Sequence, residues 1–388
     1  MKIGIDARFL THPQAGGFKT YTVNLLRALG EVDRVNEYRI YVDRSPVSLG
    51  LTKRDNFHYV TVDGSLPAFG MPFREQVKLR WRLWRDRLDL SHFLCNTAPA
   101  GWNRPFILTL HDTIHLEKAT VPLRVDALTK LKPLAISSYS KWTILRSAKS
   151  ARRIITVSDF EKTRITRRLK VPAERVCVTH LAPDPVFAPA SVEQKRKWAR
   201  ELTKKYCLPT NFILSVGYET RKNIPLVIDA FSNLAAEHGD LGLVVVAAEE
   251  KKRHLFEALL REKMLLDRAV VLGSICPEEL AALYSLAKVL VFPSARESFG
   301  LPPIESMACG TPVVASNGSS LPEILGNAAI LVSGFAVDSW AAAIRRILHD
   351  QSFCSDLIDR GLKRARKMTW RQCALKTLNV YQSVAHGW

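Results

Sequence analysis

Two carboxylates, Glu297 and Glu305, bracket seven residues that contain the turn Ser-Phe-Gly-Leu-Pro-Pro. An apolar run precedes this stretch, a proline-started helix follows the glycine, and a second apolar run comes next. The order predicts free backbone N–H groups and two carboxylates at the end of one strand. A helix N-terminus binds anions, whereas carboxylates accept hydrogen bonds from hydroxyl groups. Because a sugar nucleotide carries both a diphosphate and sugar hydroxyls, the pattern predicts a site for such a molecule.

The turn between the glutamates has the features of a phosphate-binding loop. Phe299, Gly300 and Leu301 precede two prolines, and proline is favoured in the first turn of a helix. The exposed amides and the positive end of the helix dipole suit a diphosphate, and a glycine lets the backbone approach it closely. We predict that this loop, with the amide of Ser298, binds the diphosphate of the sugar nucleotide. The alternative is an ordinary strand-to-helix turn.

Two cations, Arg221 and Lys222, follow another predicted strand, which ends at Gly217. Open α/β sheets bind ligands beyond the carboxyl ends of their strands. Cations in this position would neutralise the charge that develops on a departing diphosphate. The alternative is a solvated basic turn.

Apolar runs of strand length alternate with amphipathic runs of helix length along the whole chain, which predicts doubly wound α/β domains. A proline-rich linker at 182–190 separates residues 1–187 from residues 188–369, and Trp370–Ala385 is helical in pattern. The predicted strands are Lys2–Ile5, Tyr38–Val42, Phe57–Val62, Leu88–Phe93, Phe106–His111, Arg153–Ser158 and Val176–Thr179 in the first half, and Phe212–Gly217, Leu241–Ala247, Ala269–Gly273, Val289–Pro293, Thr311–Ala315 and Ala329–Val332 in the second.

Composition narrows the class of protein further. No apolar run approaches the roughly 20 residues that a bilayer requires, and Asp6 and Arg8 interrupt the place where an export signal would need an apolar core. The 7 cysteines are dispersed without a C-x-x-C motif, which predicts reduced thiols in a cytoplasm. The net charge is +19; residues 1–190 carry a surplus of 14 positive charges and residues 191–388 a surplus of 5. A basic N-terminal half predicts an anionic partner, and general solubility is the alternative.

The block from 289 to 326 resembles the signature of the retaining glycosyltransferases of family 4, which have the GT-B architecture. The spacing of the two glutamates matches, as do Phe-Gly-Leu-Pro and Ala-Cys-Gly-Thr-Pro-Val. Thr109-Leu110-His111-Asp112, Arg221-Lys222-Asn223 and Gly16-Gly17 followed by Tyr21 match as well. The resemblance implies two Rossmann-like domains facing across a cleft, with the helix in 370–388 packing back on the N-terminal domain.

The resemblance also implies roles for single residues. Glu305 would accept hydrogen bonds from the ribose hydroxyls, and Glu297 would lie at the transferred sugar without acting as a covalent nucleophile. His111 would contact the donor sugar and help to position the acceptor, the alternative being an ordinary buried histidine. Gly16 and Gly17 would bring backbone amides to the donor phosphate; a flexible turn is the other interpretation.

As a whole, the resemblance implies that residues 1–187 bind an acceptor and residues 188–369 bind a nucleotide sugar. It favours a mannosyltransferase that moves a hexose from GDP-mannose to a glycan or lipid-linked acceptor in cell-surface polysaccharide or lipopolysaccharide synthesis. No Asp-x-Asp pair occurs, so we expect neither a metal nor another cofactor. The alternatives are a UDP-sugar-dependent hexosyltransferase, a sugar-nucleotide epimerase and a non-catalytic nucleotide-sugar-binding protein. No motif indicates nucleic-acid binding.

One stripe of large apolar residues remains outside these motifs. Its members recur at helical spacing and are Phe73, Val77, Trp81, Trp84 and Leu88. Arg74, Lys78, Arg82 and Arg85 are predicted to lie on the adjacent face. Such a helix either lies in a membrane interface or packs in the core with a solvated basic face. The dispersed cysteines and the lack of an export signal predict a cytoplasmic protein. Peripheral contact at the inner face of the membrane is an open alternative.

Overall fold

The computed structural model describes residues 1–12, 16–45, 54–64, 70–116 and 127–385. The chain divides into two units. Unit 1 comprises Met1–Leu181 together with Trp370–Trp388, and unit 2 comprises Ala182–Thr369. Among the described residues there is no helix that is both long and apolar enough to cross a bilayer.

Unit 1 is built on a parallel sheet that has seven strands within the described residues, in the order β3-β2-β1-β4-β5-β6-β7. Its middle strands are buried on both faces, as parallel sheets are when helices cover them. The strands are β1 (Lys2–Asp6), β2 (Glu37–Val42), β3 (Phe57–Thr61), β4 (Leu90–Phe93), β5 (Phe106–Thr109), β6 (Arg153–Thr156) and β7 (Val176–Val178).

The helices of unit 1 connect these strands and cover the sheet. Those described are α1 (Arg8–Thr11), α2 (Gly17–Val32), α3 (Gly70–Phe73), α4 (Arg80–Arg85), α5 (Ala127–Ser150), α6 (Asp159–Leu169) and α15 (Trp370–Ala385). Between α3 and α4 the residues Arg74–Leu79 form a π-helix, whose wider turn changes the spacing of side chains along this segment.

Helix α15 packs against α2 of the same unit and is tied to the sheet by a buried polar chain. The hydroxyl of Tyr381 is 2.7 Å from Nδ1 of His92. Nε2 of His92 is 2.8 Å from Oγ1 of Thr109, which is itself 3.1 Å from the hydroxyl of Tyr21 on α2. Burial lowers the pKa of His92 to about 3, and the neighbouring His111 adds to that effect. A neutral ring can therefore link the two hydroxyl groups.

Unit 2 contains, within the described residues, a parallel sheet of six strands in the order β10-β9-β8-β11-β12-β13. This is the 3-2-1-4-5-6 order of a dinucleotide-binding fold. The strands are β8 (Asn211–Val216), β9 (Leu241–Val246), β10 (Ala269–Leu272), β11 (Val289–Phe292), β12 (Val313–Ser316) and β13 (Ile330–Val332). The helices are α7 (Val192–Tyr206), α8 (Ile224–Glu237), α9 (Glu250–Glu262), α10 (Pro277–Leu286), α11 (Leu301–Ala308), α12 (Leu321–Leu325), α13 (Val337–His349) and α14 (Gln351–Arg366).

The doubly wound α/β fold is confirmed, and each of the thirteen predicted strands is present with its ends displaced by no more than two residues. The core-packing interpretation of the tryptophan stripe holds for Leu88, which is buried, and is wrong for the other four residues. Val77, Trp81 and Trp84 are 51%, 55% and 63% exposed. Leu79 and Leu83 face the core instead. Arg74 does not lie on a solvated face either: it is buried, and its Nη2 is 2.9 Å from Oδ1 of Asp6.

Candidate active site

The candidate site of unit 2 lies where the strand order reverses. Strands β8 and β11 are neighbours. The strands that follow β8 in the chain lie on one side of this pair, and those that follow β11 lie on the other. Open α/β sheets bind ligands in the crevice that such a reversal creates. Arg221 and Lys222 follow β8, and Glu297 follows β11. The fold therefore brings together residues that are 75 and 76 positions apart in sequence.

Three donors converge on one oxygen of Glu297. Its Oε1 accepts hydrogen bonds from Nη1 of Arg221 at 2.6 Å, from Nζ of Lys222 at 2.7 Å and from Oγ of Ser294 at 2.6 Å. Glu297 and Lys222 are almost fully buried. Burial alone raises the pKa of Glu297, but Lys222 and then Arg221 outweigh it and hold the pKa below its ordinary value. The carboxylate is therefore charged, and both predicted cations are paired with it.

Backbone conformation fixes this cluster. Gly217 has φ +136°, and a Cβ there would lie 2.7 Å from Cγ of Lys222, so only glycine lets the lysine fold back over the strand end. The residue after the lysine, Asn223, has φ 53° and ends the short turn. The amide of Ala295 then donates to the carbonyl of Arg221 at 2.7 Å. The ammonium of Lys222 also lies 4.4 Å from the ring centroid of Phe292, which holds the charge over an aromatic face.

The predicted phosphate loop forms the start of α11. Gly300 precedes the helix with φ +95°, and a Cβ there would lie 2.6 Å from Cδ2 of Leu321. Phe299 is buried and anchors the turn, whereas Ser298 and Leu301 are half-buried. The prolines of the first helical turn leave no N–H that needs a partner. The remaining amides and the helix dipole make this end of α11 suitable for an anion.

Glu305 lies within α11 and is buried in a different environment from Glu297. Its Oε2 accepts a hydrogen bond from the hydroxyl of Tyr284 at 3.2 Å. Burial raises the pKa of Glu305 to about 7, with the Tyr284 hydrogen bond acting in the opposite direction. The two carboxylates are thus charged to different extents near neutral pH. A ligand whose hydroxyl groups donate hydrogen bonds to Glu305 stabilises the charged form of this carboxylate.

His111 follows β5 in unit 1 and is buried against α2. Its backbone amide donates to Oδ1 of Asn96 at 2.8 Å, and its Nε2 lies 2.9 Å from the carbonyl of Leu94. A carbonyl only accepts, so Nε2 carries the proton and Nδ1 carries the lone pair. Burial lowers the pKa of His111 to about 4. The ring is therefore neutral at physiological pH and can accept a hydrogen bond at Nδ1. Edge contacts with Phe18 and Tyr21, at 5.0 and 4.6 Å between ring centroids, hold it in place.

Gly16 and Gly17 stand at the start of α2, the same helix that holds the His111 ring. Gly16 caps the helix with φ +131°, and both glycines are exposed with no heavy atom within 4 Å of an added Cβ. The first amides of a helix have no acceptor within it. Unit 1 thus presents free amides at the end of α2 next to Phe18, which contacts His111.

Sequence reasoning missed Asn96 and Arg8. Asn96 follows β4 with φ 62° and is 4% exposed; its side-chain oxygen accepts from the backbone amide of His111, while its Nδ2 is buried without a hydrogen-bond partner. Arg8 follows β1 and donates to Oε2 of Glu75 at 2.7 Å and to the carbonyl of Cys95 at 3.0 Å. Since β1 and β4 are neighbours at the reversal point of this sheet, a search for polar residues just beyond each strand end would have found both.

Two family models match the chain, one for each half. The model for Glycosyltransferase Family 4 matches residues 15–186, and the model for Glycosyl transferases group 1 matches residues 201–364. Together the two models span most of the chain, which belongs to the glycosyltransferases of family 4 with the GT-B fold.

Its relatives include several bacterial mannosyltransferases. The chain is 33% identical over 251 residues to the O-antigen chain mannosyltransferase B of Escherichia coli, which covers 63% of this chain and 64% of the relative. It is 28% identical over 254 residues to the O-antigen chain mannosyltransferase RfbU of Salmonella typhimurium, covering 63% and 65%. It is 32% identical over 225 residues to the serotype-specific mannosyltransferase WbdA of Escherichia coli, covering 57% and 27%. The matches span a little under two thirds of the first two relatives and about a quarter of the third.

Solved structures share the fold over the full chain. A sucrose-phosphate synthase from Thermosynechococcus elongatus has a TM-score of 0.77 at 21% identity and covers 100% of both chains. WaaG, a glycosyltransferase of lipopolysaccharide biosynthesis, has a TM-score of 0.74 at 15% identity and covers 98% of this chain and 99% of its own. Anabaena HepE, solved with UDP and glucose, has a TM-score of 0.71 at 16% identity, covering 99% and 100%.

Proposed function

We propose that this protein is a retaining glycosyltransferase that moves a hexose from a nucleotide sugar to a glycan or lipid-linked acceptor during synthesis of a cell-surface polysaccharide. The observation that carries this proposal is the convergence of Arg221 and Lys222 on Glu297. Shortly after Glu297 in the chain, α11 begins at Leu301, and the amides of Gly300 and Leu301 lie at its positive end. Two cations and these amides suit a diphosphate, and the carboxylate suits the sugar attached to it.

We favour mannose as the sugar and GDP as the nucleotide that carries it. The support for mannose is that the O-antigen relatives from Escherichia coli and Salmonella typhimurium are mannosyltransferases. GDP-mannose follows as the donor that the sequence resemblance favours. A UDP-sugar is the second candidate, because HepE shares the fold and was solved with UDP and glucose.

In the proposed reaction the diphosphate of the donor replaces Glu297 as the partner of Arg221 and Lys222. Arg221 and Lys222 stabilise the charge that grows on the leaving diphosphate, and the nearby carboxylate stabilises positive charge on the sugar ring. The bond from the anomeric carbon to the phosphate oxygen breaks while the acceptor oxygen bonds to the same face of that carbon. The acceptor proton passes to the departing phosphate oxygen. Glu297 forms no covalent intermediate in this scheme, because the acceptor oxygen itself attacks the anomeric carbon.

Unit 1 supplies the acceptor-binding half of the proposal. His111 accepts a hydrogen bond from a sugar hydroxyl at Nδ1, and the free amides at Gly16 and Gly17 donate to the donor phosphate. Glu305 of unit 2 accepts hydrogen bonds from the ribose hydroxyls. These roles are the ones that the family resemblance implies for each residue.

We further propose that transfer needs no metal ion or other cofactor, since Arg221 and Lys222 already provide two positive charges at the leaving group. The rate should then be unchanged in excess EDTA, and a loss of activity that Mg²⁺ or Mn²⁺ restores would overturn this part. We place the reaction in the cytoplasm, on the support of the seven free cysteines.

The first experiment is a thermal melt of the protein against GDP-mannose, UDP-glucose, UDP-galactose, UDP-N-acetylglucosamine and ADP-glucose. A ligand at 100 times its dissociation constant adds about 2.7 kcal/mol of stability, which raises the melting temperature by several degrees. A rise with GDP-mannose alone supports the proposal, and a rise with UDP-sugars alone selects the second candidate. If no nucleotide sugar raises the melting temperature, the donor site is refuted. The anomeric configuration of the product, determined by NMR, then tests retention.

A further inference from the structure

Unit 1 exposes large apolar side chains in the segment from Phe73 to Arg85. Val77, Trp81 and Trp84 are 51%, 55% and 63% exposed, and Phe73 is 36% exposed. Isolated apolar residues are ordinary on a protein surface, but a contiguous group of large ones marks a binding face. We call these four residues, together with the exposed Arg80 and Arg85, the aromatic-basic surface.

Helix α5 continues the surface. The hydroxyl of Tyr139 on α5 accepts a hydrogen bond from Nε2 of Gln76 at 2.9 Å, which places α5 beside the π-helix. One turn further along α5, Trp142 is 45% exposed, and its ring centroid lies 6.5 Å from that of Tyr139. Leu145 on the next turn is 42% exposed. Two neighbouring segments of the chain therefore contribute tryptophans to this side of unit 1.

Cations accompany the tryptophans at close range. The guanidinium of Arg85 lies 5.3 Å from the ring centroid of Trp81, and that of Arg146 lies 5.4 Å from Trp142. The segment 73–88 carries a surplus of four positive charges, while its acidic members Glu75 and Asp86 are buried. The charge presented to solvent is consequently positive.

A groove of about 640 Å³ opens between the segment 76–84 and the loop before β5. It is lined by Gln76, Arg80, Trp81, Trp84, Trp102 and Arg104. The two arginines supply donors on a wall of indole rings. That combination suits an anionic headgroup whose attached chains continue into an apolar phase.

We propose that the aromatic-basic surface docks unit 1 onto the interface of a bilayer that contains anionic lipid. Tryptophan prefers the boundary between headgroups and acyl chains, because its ring is apolar and its N–H is polar. Basic residues near an anionic leaflet each add roughly 1 kcal/mol of attraction. The inference does not depend on the proposed reaction, since its residues are not among those assigned to the donor or the acceptor and vesicle binding needs neither.

Two other occupants fit the surface less well. A second copy would meet this face through a two-fold axis and set like charges such as Arg80 and Arg85 against each other. A nucleic-acid duplex would match the charge, but it would leave Val77, Trp81 and Trp84 with nothing apolar to contact. An anionic bilayer satisfies the cations and the tryptophans together.

The test is flotation of the full chain with vesicles of phosphatidylcholine alone and of phosphatidylcholine with about one third phosphatidylglycerol. We expect strong binding to the anionic vesicles and weak binding to the neutral ones. Arg80→Gln/Arg85→Gln removes two charges and should weaken anionic binding about 30-fold. Trp81→Ser/Trp84→Ser should weaken it by roughly tenfold or more, because apolar area no longer enters the interface.

The matched control is Lys197→Gln/Arg200→Gln on α7, which removes two charges from exposed positions of unit 2 and should leave flotation unchanged. Equal loss in the control would show that net charge alone drives binding, and that overturns the proposal. Absence of binding to anionic vesicles overturns it as well. A concentration-dependent dimer that Trp81→Ser/Trp84→Ser dissociates, without vesicle binding, would assign the surface to a second copy. Salt-sensitive duplex binding without vesicle binding would assign it to nucleic acid. Donor-induced thermal shifts in the same variants keep this test separate from that of the reaction.

Discussion

Replacing Lys222 by alanine tests the central ion cluster, and the chain offers a control of nearly equal geometry. Nζ of Lys222 lies 2.7 Å from Glu297 Oε1, and both side chains are 9% exposed. Nζ of Lys205 lies 2.6 Å from Oε1 of Glu279, but these side chains are 57% and 21% exposed. These two lysine–glutamate pairs of similar length thus differ mainly in burial.

The expected magnitude follows from that difference. Removing one partner of a buried ion pair costs about 3–5 kcal/mol. Because Arg221 and Ser294 still donate to the same oxygen of Glu297, each at 2.6 Å, Lys222→Ala should cost about 3 kcal/mol of unfolding free energy, at the low end of that range. Lys205→Ala should change stability little, since water and salt screen an exposed pair. If Lys222 also stabilises the leaving diphosphate, its loss should lower the transfer rate roughly 100- to 1,000-fold.

Urea unfolding and the rate of sugar transfer, measured on both variants under the same conditions, check this reasoning. The unfolding experiment uses the change in midpoint at constant slope, so that only a change in stability is counted. Two results would refute the argument. One is a Lys222→Ala variant that transfers sugar within threefold (about 0.6 kcal/mol) of the parent rate. The other is an equal loss of activity in Lys205→Ala, which would mean that charge anywhere on unit 2 matters.

Three further predictions concern single residues. The pKa of Glu305 is raised to about 7 from an ordinary value of 4.5, so the folded state holds a proton that the unfolded state has lost; stability should fall by about 3 kcal/mol between pH 4.5 and pH 7, and Glu305→Gln should abolish this slope in urea unfolding. Gly300→Ala forces a side chain into φ +95° against Leu321 and should cost about 1–3 kcal/mol by the same measurement. Tyr381→Phe leaves Nδ1 of His92 without its partner and should cost about 1–3 kcal/mol.

Each of these has its own contrary result. An unchanged pH slope in Glu305→Gln would mean that another group titrates in that window. Gly239 has no heavy atom within 4 Å of an added Cβ, so Gly239→Ala is the control for Gly300→Ala, and equal effects would remove the steric argument. Native-like stability of Tyr381→Phe would show that the chain of hydrogen bonds under α15 is replaceable.

The sequence predicted the elements of this site because the signals are local. An apolar strand, a glycine and a proline-started helix occupy consecutive positions, so the turn at Gly300 could be placed without knowledge of the fold. Glu297 and Lys222 were each predicted separately, because each lies within five residues of the end of a predicted strand. Their pairing was not, because 75 residues separate them and only the order of strands in the sheet brings β8 and β11 together.

Two features lay beyond sequence reasoning for a different reason. Periodicity at 3.6 residues per turn places Trp81 and Trp84 on one face of a helix, but it does not tell whether that face meets the core or the solvent; the structure exposes it. Asn96 looks like a loop residue in sequence, and its importance follows from a left-handed backbone and a bond to the amide of His111. Both depend on tertiary contacts, which a local sequence pattern does not contain.

The helix α15 also has a consequence for how the chain is made. Tyr381 and His92 are 289 positions apart, while unit 2 is one continuous stretch, Ala182–Thr369. At about 5–20 residues per second, the ribosome needs roughly 10–40 seconds to synthesise that stretch. During this interval the sheet of unit 1 has emerged without the helix that covers α2 and His92, and unit 2 can complete its own sheet first. The half of the protein encoded first is therefore the half that finishes folding last, and its uncovered face in the meantime is a target for chaperones.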